Sequence, residues 1–135
     1  MNKAKILHYE IWDGETGEAD VIAELTGSKK LKAFTLDHFE ANFVYEVNLS
    51  LFCKEFTVNT QPLTPDIINT DDKYQVELKG VITGVSSDDE EGEIVIVNTG
   101  DIFVNVYITF NDTAAEQPKT GLFFTGTGRL DIELE

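Results

Sequence analysis

Several residue types are scarce in this chain, and each scarcity closes a route. Cys53 is the single cysteine, so no disulfide can link the chain to itself. His8 and His38 are the only histidines and have no cysteine pair beside them, which argues against a zinc site, and the expectation is no metal and no cofactor. No apolar run approaches the length of a membrane helix. The opening stretch "MNKAKILHYEIWDGE" lacks the apolar core of a signal peptide. A reducing, cytoplasmic setting follows as the expectation, with the sequons at Asn48 and Asn111 accidental.

Positive charge is scarce too. Ten Lys and Arg face 25 Asp and Glu, for a formal net charge of -15. Such a surface repels phosphate backbones and anionic lipid, so neither nucleic acid nor a membrane is the expected partner. A basic protein is. Arg129 is the only arginine, which leaves little forked guanidinium chemistry for gripping phosphate. Lys29, Lys30 and Lys32 cluster and read as a solvated turn.

What is present is a period of two. From Phe39 to Leu51 alternate residues are apolar (Phe39, Ala41, Phe43, Tyr45, Val47, Leu49, Leu51) and those between are mostly polar, which predicts one half-buried strand over 39–52. Leu7, Tyr9 and Ile11 form a shorter inward set, as do Val21, Ala23 and Leu25, and the set from Ile102 to Phe110. Asp13-Gly14 and "NTGD" around Gly100 read as hairpin turns. Two glycine pairs, Gly80 with Gly84 and Gly126 with Gly128, fall on apolar faces of long strands, with no helix and no lysine after them. A phosphate loop is therefore excluded, and the glycines predict sharply bent strands with room for large side chains from across the core.

About eight strands are expected, near 5–12, 19–26, 30–36, 39–52, 74–85, 93–98, 101–110 and 121–134. The fold class is all-β, a single antiparallel small barrel over residues 1–135, with a β-sandwich as the alternative. The layout resembles an oligonucleotide/oligosaccharide-binding barrel or an up-and-down barrel, a likeness of architecture alone. "NTQPLTPDIINTDD", 59–72, reads as a crossover or cap with a helical turn after Pro65, because its prolines oppose a central strand. Beyond the paired glycines no internal repeat is visible.

No catalytic constellation emerges: Cys53 reads as a packed strand residue, and carboxylates are too abundant for any pair to stand out. The segment "SSDDEEGE" places Asp88, Asp89, Glu90, Glu91 and Glu93 at a hairpin tip, without the terminal glutamate a calcium loop needs. Those five carboxylates, with the outward aromatics Trp12, Phe52 and Phe123, are the candidate partner-binding residues. The composition points to a non-enzymatic protein-binding module, most concretely a small acidic inhibitor such as an immunity protein that neutralises a basic toxin. The alternative is a small-ligand-binding barrel, if the inward glycines open a cavity.

Overall fold

The computed structural model describes residues 2–70, 74–88, 92–109 and 117–135. Nine strands among them form one sheet: β1 (Asn2–Asp13), β2 (Glu18–Leu25), β3 (Lys29–Thr35), β4 (Val44–Asn59), β5 (Asp66–Asn69), β6 (Gln75–Asp88), β7 (Gly92–Thr99), β8 (Ile102–Thr109) and β9 (Phe123–Leu134). The all-β, barrel-like architecture expected from the period is present.

The axis of the fold is a long antiparallel ribbon of β4 and β9, paired from Val47↔Leu134 to Asn59↔Phe123. The meander β1–β2–β3 joins its two strands at one end: Asn2–Lys5 pair with β4, and Phe34 pairs in parallel with Asp131. The meander β6–β7–β8 joins them again, with Gln75–Val81 along β9 and Asn105 in parallel with Ser50. The hydrogen-bonded pairings thus close on themselves through both meanders, and the two halves of the chain repeat one topology. In each half a three-stranded meander starts antiparallel to its own long strand and ends parallel to the other half's. Register supports the repeat. Matching Ser50 to Asp131 and their parallel partners Asn105 to Phe34 carries Phe103 onto Lys32, and Asn2 onto Val76. The two halves share almost no sequence pattern, which is why the repeat is invisible in the residues alone.

At these matched places a side-chain amide bridges a gap in the sheet. Asn2 bonds the backbone of Phe103, and Asn69, whose strand partner is Val76, bonds the backbone of Lys32. Inward residues from every long strand fill one apolar cluster, including Ile6, Val21, Leu31, Leu49, Leu78 and Ile132.

Gly80, Gly126 and Gly128 are inward, as their parity requires, but the space they leave is taken; Gly84, expected on the same face, is turned outward by a bulge after Ile82 and lies opposite Ile96. A Cβ on Gly128 would meet the Phe52 carbonyl of β4, where a bulge between Cys53 and Glu55 folds that backbone inward. One on Gly80 would meet the Asn98 carbonyl of β7. At Gly126 the occupant is the ring of Phe124, stacked on Phe56 at 5.7 Å. The glycines admit close backbone approach and a ring from their own strand. The space inward of these glycines is filled, so they do not themselves supply room for a ligand inside the barrel.

Four further expectations need correction. The strand expected over 39–52 begins at Val44 and runs to Asn59. Phe39 is buried from a loop, and Phe43 is 57% exposed, because Asn42 takes a positive φ of 73° and turns the chain onto β1. In β1 the inward set starts as Asn2, Ala4 and Ile6; a bulge at Leu7 then shifts the face, so that Tyr9 and Ile11 follow opposite Val21 and Ala19, with Tyr9 packed on the core and Ile11 exposed near the strand's end. The segment after Pro65 is the short edge strand β5 rather than a helical turn, so both prolines lie ahead of it and cost it no ladder bond. Lys29, Lys30 and Lys32 belong to β3 rather than to a turn, and Lys29 pairs with Asp66 at 2.8 Å.

Candidate functional site

On the outer face, three residues from three strands stand in one transverse row. Phe52 of β4 is the direct partner of Arg129 in β9 and of Tyr107 in β8. Direct neighbours across a sheet sit close enough for their side chains to touch, and these do. The Phe52 and Tyr107 rings stack at 5.2 Å with planes 13° apart. The Arg129 guanidinium lies 5.0 Å from the Phe52 centroid and 5.1 Å from that of Phe34, so it is held between two rings. Two residues along β9, Asp131 completes the hold: it accepts from Arg129 Nε at 2.8 Å and from Nη2 at 3.0 Å.

Phe34 extends the array. Its ring meets Tyr74 edge-on at 5.8 Å and Trp12 at 6.5 Å. Tyr74 is itself buried and donates its hydroxyl to Asp20. Rings and guanidinium thus run from Trp12 of β1 through Phe34, Arg129 and Phe52 to Tyr107. Much of it faces solvent, with Trp12 50%, Phe52 45% and Tyr107 37% exposed. A shallow hollow of about 150 Å³ adjoins it, lined by Leu36, Asp37, Ser50 and Glu133 together with Phe34, Phe52 and Asp131.

Electrostatics tie the array down. Burial pushes the Asp131 carboxyl above the ordinary aspartate range, Arg129 pulls it back, and Glu133 adds a smaller upward push. Cation–π contacts are worth about 0.5–1 kcal/mol at exposed sites and aromatic pairs about 0.5–1.5. A guanidinium fixed by two rings and a carboxylate is therefore a rigid part of the surface.

Of the residues expected to bind a partner, the structure brings Trp12 and Phe52 into this array. Phe123 is half-buried at the far end of β9, opposite Asn59, and stands apart from it. The acidic hairpin is framed by β6 and β7, which pair to Asp88↔Gly92. Asp89, Glu90 and Glu91 lie outside the described residues. Glu93 shares the inward face with Val95, half-buried, with Oε2 shielded from solvent. That hairpin adjoins the array all the same: Ile94 is the direct partner of Tyr107, and Gly92 lies two residues beyond it.

Phe34, Tyr107, Arg129 and Asp131 were not among the residues expected to bind a partner. Phe34 and Tyr107 do carry outward parity in their strands. Their meeting with Arg129 depends on the register of β3, β8 and β9, which no local pattern encodes. The residues with reactive side chains are elsewhere or differently engaged. Cys53 directs its thiol to the Glu55 carbonyl at 3.3 Å, and His8 pairs with Glu10 at 3.3 Å. Among the described residues no helix is long and apolar enough to cross a membrane. Comparison with protein-family models, curated proteins and solved structures finds no match to this chain.

Proposed function

We propose that the chain is a non-enzymatic protein-binding module with a basic protein partner, most concretely a small acidic cytoplasmic inhibitor such as an immunity protein masking a cationic toxin. The observation that carries this reading is the exposed row Arg129–Phe52–Tyr107, with Trp12 and Phe34 beside it, on a chain of net charge -15. Rigid aromatics and arginine are the residue types that dominate binding energy at interfaces. Surrounding negative charge speeds encounter with a cationic partner and rejects acidic ones. The two features are complementary: charge guides the approach and the array supplies the lasting contact. The acidic segment between β6 and β7 supports the first of these tasks, since the β7 strand that follows it pairs Ile94 with Tyr107.

The test is capture of partners on the intact chain, run beside a Phe52→Leu/Tyr107→Leu variant of unchanged circular dichroism. The reading predicts that the wild type retains a basic polypeptide which the variant releases. Equal retention by both would move the binding face elsewhere, and retention only of acidic polypeptides would refute the charge argument.

A further inference from the structure

We propose that the array recognises guanidinium, so that the partner's contact segment presents arginine rather than lysine to Phe52, Tyr107 and Trp12. This rests on the protein-binding reading above and names the chemistry of what is bound. The array carries its own precedent. The chain has nine lysines and one arginine, and the arginine is the cation held between two rings. A planar, weakly hydrated guanidinium stacks on aromatic faces and still offers its edge to a carboxylate. A strongly hydrated ammonium gives up more water and has no edge to fork. Arg129 shows both halves of this, stacked on Phe34 and Phe52 and forked to Asp131.

Arg129 and Tyr107 take the two faces of Phe52, so an incoming cation meets the rim of that ring and the solvent-facing parts of Tyr107 and Trp12. Phe52, Tyr107 and Trp12 remain between 37% and 50% exposed. Asp37 and Glu133 line the adjoining hollow at the rim of Phe52; each holds one local hydrogen bond, from Leu134 N–H and from Ser50 Oγ, and each carboxylate keeps acceptor capacity for the edge of an incoming guanidinium. Asp20 sits on the other flank as the strand partner of Phe34, with Lys32 at 3.8 Å tempering its charge. The occupant that matches flat rings set among carboxylates on an acidic chain is a flat cation.

The experiment uses the intact chain with oligo-arginine and oligo-lysine peptides of equal length and charge, followed by calorimetry across a salt series. The expected result is tighter binding of oligo-arginine by about fivefold or more, with a preference that persists as salt rises, because stacking is screened less than point-charge attraction. In the Phe52→Leu/Tyr107→Leu variant, which keeps apolar volume but removes the ring faces, the preference should vanish while salt-sensitive binding of both peptides remains. Tyr107→Leu alone, which leaves the Arg129–Phe52 stack in place, gives the same comparison if the double variant does not fold. Equal affinity of the wild type for both peptides overturns the inference, as does a preference that survives loss of the rings. Equal, salt-sensitive binding of both peptides ends the guanidinium claim and leaves the basic-partner reading standing. Failure of both peptides to bind at low salt removes both.

Discussion

The side-chain amide of Asn69 treats Lys32 as a strand partner: Asn69 Oδ1 accepts from the Lys32 N–H at 2.8 Å, and Nδ2 donates to the Lys32 carbonyl at 2.9 Å. Asn2 does the same for Phe103, with both bonds at 2.8 Å. An amide side chain has the donor and acceptor of a peptide group, so it can continue a ladder where the next strand does not reach. Replacing Asn2 or Asn69 by Ala should therefore leave a partly buried N–H and C=O unsatisfied. The expected cost is about 1–3 kcal/mol in each case, read as a lower urea midpoint. Asp at either position should rescue little, because it cannot donate to the carbonyl. Wild-type midpoints in both alanine variants would mean that the gaps are closed by other means.

The glycines should differ among themselves. Gly128→Ala and Gly80→Ala drive a methyl into backbone carbonyls of β4 and β7, which cannot move without shifting a strand. Gly126→Ala meets the Phe124 ring, a side chain that can turn. The first two should lose about 1–3 kcal/mol or more, and Gly126→Ala less. Chemical denaturation of the three variants gives the order.

Asp131 makes a prediction with a definite sign. Its carboxyl is held above the ordinary value by burial. The folded state therefore binds a proton more readily than the unfolded chain, and stability rises as pH falls from the folded value toward the ordinary one of about 3.9. Asp131→Asn lacks this proton. The stability of the wild type relative to Asp131→Asn should improve as pH drops through that window. A relative decline would mean that the Arg129 fork outweighs burial and holds the carboxyl ionised.

The repeated topology predicts complementation. β4 and β9 belong to different halves yet pair along almost their whole length, and each meander ends on the other half's long strand. Chains cut between Asn59 and Asp66 should fold together when co-expressed and fail singly. Co-purification with a strand-type circular dichroism spectrum checks this; a half that folds alone would show that the ribbon is not needed for closure.

Much of the fold was legible because period two survives wherever one face is buried. The β7–β8 hairpin and its Gly100 turn, with φ of 75°, follow directly from the residues. The start of β4 did not, since apolar alternation runs on through the turn at Asn42. The bulges in β1 and β4 were also hidden, because one extra residue shifts a face without leaving a mark in composition. The site was legible only in fragments. Trp12 and Phe52 announce themselves as outward aromatics, but Arg129 meets Phe52 through pairing across 77 positions of sequence, and such a register is fixed by the whole sheet.

The most direct test of the central claim is stopped-flow association with the captured basic partner at low and high salt. Two variants are compared with the wild type: Phe52→Leu, and a hairpin variant with Asp88, Asp89, Glu90 and Glu91 changed to Asn and Gln, leaving the inward Glu93 in place. The account predicts that neutralising the hairpin slows association and flattens its salt dependence, while Phe52→Leu mainly speeds dissociation. Association and dissociation rates unchanged in both variants, at both salt levels, would contradict it.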